Sequence, residues 1–372
     1  MLDFIPLPII WLLFYLLGRL ADAHSVVFRR SIFTLVSSFL LLGAVGFKTW
    51  GFYTGLGVVI ALVGAGITRH PASRLRSALF WCSISASILL VVVYLKFRPF
   101  FPKYFPALPS LSYLGFRAIA YLVSSRAGRP AGLSAGLMQM LFFPVLFLGP
   151  ITRVEDYDAP QRDYRNVLER LIVGCGMLIV AHFLSPLVLV RPELCLDQHW
   201  SRFWLSAIAN SFEFYFSFAG YSHLIIALGL LAGFRIAENF NNPYAATSIR
   251  EFWRRWHMSL SYWIRDYVYI PLGGNRKGLP RKCVNMIVAM GLCGLWHGLE
   301  PHYLAWGLFH GALLAGESVL DAYGRHPIRR LVPRAYVPVK VLTTFALVTF
   351  SWLLFKYSIS QTVIHLRAMM PW

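Results

Sequence analysis

The chain has 372 residues, of which 57% are hydrophobic and only 14% charged, with a mean hydropathy of +0.58. Soluble domains carry roughly 25% charged residues, so this composition excludes an ordinary soluble protein and points to an integral membrane protein. The net charge of +19 sits in short loops between apolar segments; that distribution orients membrane helices and does not build the solvated face a nucleic acid would need.

A spanning helix needs about 17 to 25 largely apolar residues. In chain order, the cores of such segments lie at 4–18, 31–47, 52–68, 77–97, 132–149, 167–190, 203–234, 284–297, 303–320 and 339–355. The first has no Lys or Arg ahead of its apolar run and no small-residue cleavage site, so it is expected to stay as a span and not to be a removable signal. Three segments break the pattern: 109–123 is too short to cross, 203–234 is too long for one straight span, and 247–272 is aromatic but loaded with Arg. Broken or re-entrant helices of this kind are tolerated at membrane depth only where protein or a cavity surrounds them. The basic clusters at 19–30, 69–76 and 325–334 read as cytoplasmic, which places the N-terminus outside. No polar linker or low-complexity run interrupts the pattern, so residues 1–372 are expected to form a single domain. Cys82, Cys175, Cys195, Cys283 and Cys293 contain no Cys-x-x-Cys pair and support neither a disulfide framework nor a zinc site.

The most informative stretch is FWRRWHMSLSYWIRDYVYIPLGGNRKG at 252–278. Charged side chains cost roughly 2.5 to 3.5 kcal/mol each at a membrane helix centre, so a chain that keeps them needs a water-filled cavity, a partner or a reaction. Between Arg235 and Lys282 there are nine Lys or Arg against three acids. Arg254, Arg255 and His257 fall within about one helical turn, beside Trp253, Trp256, Tyr262 and Trp263. One reading is an interfacial amphipathic helix whose arginines reach headgroup phosphates. The other is a basic, aromatic throat for an anionic or thioester-bearing donor. The local pattern is compatible with both.

His297 lies where an apolar run ends at Gly298, and Pro301 can open the next helix at a position where its missing N–H costs nothing. Gly291, Gly294 and Gly298 on one side, with Gly307, Gly311 and Ala315 on the other, are small residues that let membrane helices approach closely. A lone core histidine is more often structural, but His257, His297, His302 and His310 stand near one another in sequence, with Glu300 the acid close to His297. No His-x-x-x-His pair is present, so no metal site is expected.

At these residues the chain resembles the bacterial membrane-bound O-acyltransferases. The resemblance is carried by F-W-R-R-W-H-M-S-L-S, W-I-R-D-Y-V-Y-I-P-L-G-G-N-R, G-L-W-H-G and W-G-L-F-H-G. It is supported by F-L-G-P-I-T-R at 147–153, F-S-F-A-G-Y-S at 216–222 and E-N-F-N-N-P-Y at 238–244, and it covers roughly 111–355. It implies an all-α polytopic membrane fold, about 10 to 11 transmembrane helices with broken or re-entrant helices around a central tunnel. It also implies that His297 is catalytic and that His257 is the second polar residue of the tunnel. An imidazole with an unperturbed pKa near about 6.5 can take the alcohol proton in acyl transfer, and His257 would orient the acceptor or the thioester carbonyl, or donate to the oxyanion. Within the same motifs, Arg254, Arg255, Trp256, Ser259, Trp296, His310, Asn239 and Asn241 are the expected substrate contacts. Arg265, Arg276, Lys277, Arg281 and Lys282 are the expected docking face for an anionic donor.

The family reading further implies an acyl thioester co-substrate, on a carrier protein or coenzyme A in the cytoplasm, with no metal and no tightly bound cofactor. The acceptor would be a hydroxyl of an envelope polysaccharide or of an extracytoplasmic relay protein, and the location the bacterial cytoplasmic (inner) membrane, in contact with lipids and not with nucleic acid. Two departures bear on this. An F-D-F-S-G-Y-S-D pattern appears here as FSFAGYSH at 216–223, without its acids, so no role for them carries over. The I-P-L-G-G-N-R run resembles the acetyl-transferring branch while S-Y-L-G-F-R-A-I resembles the D-alanyl branch, so the acyl group stays open between acetyl and D-alanyl. The competing class is a transporter or flippase of an acyl or lipid-linked substrate, which also uses broken helices and buried charge without making bonds.

Overall fold

In the computed structural model every regular element among the described residues is helical. The structure describes residues 7–21, 24–69, 74–97, 111–128, 132–146, 149–157, 163–188, 200–324 and 336–368. The basic cluster at 325–334, Cys195 and the first two residues of F-L-G-P-I-T-R lie outside them. The helices are α1 (Leu7–Ala21), α2 (Val26–Arg69), α3 (Arg74–Phe97), α4 (Leu111–Arg126), α5 (Leu133–Leu141), α6 (Tyr164–Leu184), α7 (Trp200–Leu231), α8 (Ile249–Trp253), α9 (Met258–Ile264), α10 (Gly278–His297), α11 (Pro301–Ala322), α12 (Tyr336–Lys356) and α13 (Ile359–Ala368).

Five helices among the described residues are long and apolar enough to cross a membrane, at Val26–Arg69, Arg74–Val92, Tyr164–Leu187, Trp204–Leu231 and Val337–Lys356. The protein is therefore an all-α polytopic membrane protein. The spans expected at 31–47 and 52–68 are the two arms of α2, which are separated at Gly46, where φ is 76° and ψ 166° and the backbone is not helical; a glycine makes that positive φ inexpensive. Residues 203–234, expected to break, form the single long helix α7. The span expected at 132–149 stops after the nine residues of α5, where Phe142 turns extended and the short 3-10 helix Phe143–Val145 follows. Residues 247–272 do break, into α8, α9 and a π-turn at Arg265–Tyr269.

The chain forms two compact units, Met1–Gly174 with Tyr221–Glu238, and Cys175–Gly220 with Asn239–Trp372. The first is built on a cluster of rings. Phe142 meets Phe14, Tyr157 and Phe234 at centroid distances of 6.1, 5.6 and 5.7 Å, and Phe33 meets Phe14 and Phe234 at 5.4 Å each. Such side chains bury about 150–250 Å² apiece and dominate core energetics. α2 lies against α5 closely enough that a Cβ on Gly57 would stand 3.1 Å from the Met140 side chain.

The second unit is organised by the α10–α11 hairpin, whose backbones touch. A Cβ on Gly294 would run into the Tyr303 carbonyl, one on Gly307 would lie 3.1 Å from Gly291 Cα, and one on Gly311 2.7 Å from Ile287 Cα. The small residues noted in sequence are thus the contact line of this pair. α12 and the first half of α7 pack beside it. Asn210, Ser211 and Phe212 of α7 meet Lys356, Thr349 and Phe345 of α12.

Candidate active site

α10 ends on His297, and Pro301 opens α11 three residues beyond Gly298. The imidazole is wrapped by rings. Trp296 lies 4.3 Å away between centroids, Phe355 of α12 4.8 Å and edge-on, Trp306 5.4 Å and edge-on, and Tyr303 6.2 Å and stacked. His257 also approaches Trp296, at 6.4 Å, and packs edge-on against Phe218 at 4.8 Å. The two histidines are close enough for a charge on one to act on the other.

His257 is 3% exposed and takes a left-handed backbone, φ 40° and ψ 54°, as the residue that opens α9. A non-glycine residue in that region costs of order 1–3 kcal/mol and persists only where its surroundings over-determine it. The surroundings are the E-N-F-N-N-P-Y segment. Asn239 O accepts from Met258 N at 2.9 Å, Asn239 Oδ1 accepts from Ser259 Oγ at 2.6 Å and from Ser259 N at 3.4 Å, and Asn241 N donates to Arg255 O at 2.9 Å. Two sides of the His257 turn are therefore pinned to one extended strip. Asn239 and Ser259, expected as substrate contacts, are placed inside this clamp.

α8, just before His257, is held by acids. Ser248 Oγ accepts from Glu251 N at 3.1 Å, and the Glu251 carboxylate accepts from Thr247 N and Oγ1 at 2.8 and 2.7 Å, a variant of the capping box. These bonds from Thr247, with a smaller share from Arg255, hold the Glu251 carboxyl below the usual range. Glu317 of α11 accepts from Ile249 N and Arg250 N at 2.5 and 3.1 Å, placing negative charge at the helix N-terminus where the dipole favours it.

His310 is fully buried. Trp253 Nε1 stands 3.3 Å from His310 Nδ1, and His310 Nε2 stands 3.0 Å from Ser351 Oγ. An indole can only donate, so Nδ1 accepts and Nε2 carries the hydrogen; Ser351 Oγ accepts it and donates to Val348 O at 2.7 Å. Both ring nitrogens are thus used within the protein. Trp256 is 3% exposed and surrounded by Phe240, Trp352 and Phe252 at 5.0–5.5 Å.

Against this cluster lies a cavity of about 470 Å³ lined by Arg250, Trp253, Arg254, Arg265, Tyr269 and Cys293, among others, with Leu260, Met286, Met290 and Leu314 supplying apolar wall. Arg250 is paired with Asp321 at 2.7 Å and reaches Ser318 at 3.2 Å. Arg265 is paired with Asp266 at 2.7 Å and lies over the Tyr262 ring at 4.9 Å. Arg254 is exposed and, among the described residues, forms no ion pair. Arg255 points elsewhere, to Glu251 at 2.6 Å.

Arg276, Lys277, Arg281 and Lys282 do not line the cavity. They sit at the opposite end of α10 from His297, in and after a loop with positive φ at Gly273, Gly274 and Gly278 that Asn285 Nδ2 pins through Gly274 O at 2.9 Å. At 1.5 Å per residue, Arg281 is about 24 Å along the helix from His297. Phe355, Trp306 and Tyr303 around His297 were not singled out in the sequence. Trp306 had a usable signal, four residues before His310 and so on the same helix face; Phe355 had none.

The membrane fold brings a buried His257 and a half-buried His297 to one tryptophan, and a cavity rimmed by arginine lies in the same unit. Residues 136–360 match the family model described as MBOAT, membrane-bound O-acyltransferase family. The chain is 33% identical to a probable alginate O-acetylase AlgI of Pseudomonas fluorescens, over 95% of this chain and 71% of that protein. It is 32% identical to a peptidoglycan O-acetyltransferase of Helicobacter pylori, over 58% and 42%, and 34% identical to a teichoic acid D-alanyltransferase of Streptococcus thermophilus, over 58% and 57%. The chain belongs to the membrane-bound O-acyltransferase family and is an O-acyltransferase.

Proposed function

We propose that this chain moves an acyl group, acetyl or D-alanyl, from a thioester donor that arrives at its basic end to a hydroxyl that arrives at the His297 end. His297 takes the proton of the attacking hydroxyl. The C–O ester bond forms, the tetrahedral carbon collapses, the C–S bond breaks, and the proton passes to the departing thiol. His257, which packs against the same Trp296, orients the carbonyl or donates to its oxyanion.

The observation that carries the reading is the pairing of both histidines on Trp296, at the end of α10 away from its basic loop. The cavity beside Trp253 suits the donor, with Arg254 uncompensated at its rim and apolar wall inside. The cations at 276–282 suit the anionic part of a carrier protein or of coenzyme A, recruited from the cytoplasm by charge. Acceptors on this reading are an envelope polysaccharide or an extracytoplasmic relay protein, and the site of action is the bacterial cytoplasmic membrane. The substrate contacts expected at Trp256, His310, Asn239 and Ser259 are on this reading supports of the histidines, and Trp296 and Arg254 remain contacts.

The test is thioester cleavage. The purified chain in nanodiscs should release free thiol from acetyl-coenzyme A or a D-alanyl carrier thioester faster than His297→Ala does. Transport of an intact donor across vesicles with no thioester broken would favour the transporter reading instead.

A further inference from the structure

Glu213 is the acid inside the apolar span Trp204–Leu231, and Lys356 closes the apolar span Val337–Lys356. Neither takes part in the chemistry above. Ionisable groups in membrane spans are rare because they are expensive, and by default mark a pathway or a site.

The fold places them together. Lys356 Nζ donates to Asn210 Oδ1 at 3.1 Å, and the charges of Lys356 and Glu213 act on each other. A lysine at a helix end ordinarily stretches outward to the headgroups. Here the ammonium instead turns across to α7, 5.6 Å from the Tyr357 ring. Asn210 and Glu213 are one turn apart on the same face, both half-buried, with Lys356 exposed above them. The group therefore offers a carboxylate, an amide and an exposed ammonium, with acceptors and donors side by side.

Its position relative to His297 is specific. Phe355, the neighbour of Lys356, is the ring that meets the His297 imidazole at 4.8 Å and Tyr303 at 5.2 Å. Phe214, the neighbour of Glu213, meets Phe355 at 5.9 Å and Trp256 at 5.5 Å. The cluster thus lies one ring away from His297, at the end of the hairpin opposite the basic loop at 276–282. The place is outside the lining of the thioester cavity and close to the ring that covers His297.

We propose that Asn210, Glu213 and Lys356 form the acceptor-binding subsite and that its ligand is a polyhydroxyl chain, a glycan, whose vicinal hydroxyls each donate and accept. The inference rests on the acyl-transfer reading for its purpose but not for its test. A carboxylate and an amide bridge neighbouring hydroxyls in this geometry, the ammonium takes a further oxygen, and the half-buried Tyr303 ring gives the sugar an apolar face leading to His297.

Binding can be read without turnover. An alginate oligosaccharide titrated into the full-length chain in nanodiscs, with no donor present, should quench tryptophan fluorescence saturably. In Glu213→Gln and in Lys356→Met the midpoint should move up by about 10-fold, the size of one lost hydrogen bond to a charged group. Asn210→Ala gives the same reading should Glu213→Gln fail to fold. Equal midpoints in wild type and variants overturn the assignment, as does an absence of saturable binding. So does binding of a serine-containing peptide that depends on these residues while the oligosaccharide's does not, since the acceptor would then be a protein hydroxyl. Failure of acyl transfer itself appears separately, as a wild-type chain that binds the oligosaccharide and releases no thiol.

Discussion

His257 and His297 both pack against one indole, that of Trp296, with ring centroids 6.4 and 4.3 Å from it. One histidine ends a helix and the other begins one, so both imidazoles project from helix ends and not from the middle of a packed face.

If His297 is the base, His297→Ala should insert normally and lose at least about 100-fold in acyl transfer, the low end of what general acid–base catalysis contributes. His257→Ala should also be severe. On the proposal that the two act on one carbonyl, the double variant should lose little more than the worse single one. Near-normal ester formation by His297→Ala at equal protein level would remove it from the mechanism.

Much of this site was legible in the sequence because backbone punctuation marks it. Gly298 and Pro301 announced the break at His297, the glycines of α10 and α11 announced their close contact, and the Arg-laden run at 247–272 announced a broken helix. What stayed hidden depends on residues distant in sequence. Asn210 and Lys356 meet although 146 positions apart, and nothing local marks Phe355 as the ring against His297. Side-chain direction was hidden as well. Asn239 and His310 read as polar groups in a motif, and only the fold shows one turned into the His257 clamp and the other spent between Trp253 and Ser351.

The clamp makes a distinct prediction. Asn239→Ala removes the acceptor of Ser259 Oγ and N and leaves a left-handed His257 less constrained, so stability should fall by about 1–3 kcal/mol, the cost of stranding a buried polar group. Turnover should fall further than stability explains, with donor KM little changed. Restoring Asn239 while changing Ser259 to Ala should give a smaller version of both effects, read by thermal unfolding and steady-state kinetics side by side.

Trp306 is 1% exposed, and its Nε1 hydrogen meets no acceptor among the described residues. Leaving a buried N–H unmade costs about 1–3 kcal/mol, so Trp306→Phe should be neutral or stabilising in the resting protein. If that N–H serves a substrate oxygen beside His297, the same variant should slow acyl transfer by about 10-fold or more. A variant that is more stable and equally active would mean that the indole only packs.

Glu251 gives a pH signature. Its carboxyl is held low in the folded state by Thr247 and, less strongly, by Arg255, so the folded protein prefers it ionised more than the unfolded chain does. The stability this adds is fully present above the unfolded value of about 4.3 and disappears as pH falls through the depressed folded value. Glu251→Gln should therefore lower the melting temperature at pH 7 and make little difference near pH 3. A variant equally destabilised at both pH values would show that shape, not charge, is what Glu251 contributes to the His257 segment.

The basic end separates recruitment from chemistry. Neutralising Arg276, Lys277, Arg281 and Lys282 together, about 22 Å or more from His297 at the far end of α10, should raise the donor KM and flatten its salt dependence, because exposed charges act over about 10 Å at roughly 0.1 M salt. Saturated turnover should hold, since none of the four lines the cavity. Arg254 stands at the cavity itself and forms no ion pair among the described residues, so Arg254→Gln should raise KM on its own and lower kcat as well if it fixes the donor's phosphate. Steady-state rates measured from about 0.05 to 0.5 M salt decide between the two. A collapse of kcat with KM unchanged in the fourfold variant would mean that the loop shapes the active site, and chemical labelling of these residues from outside the cell would sink the docking role outright.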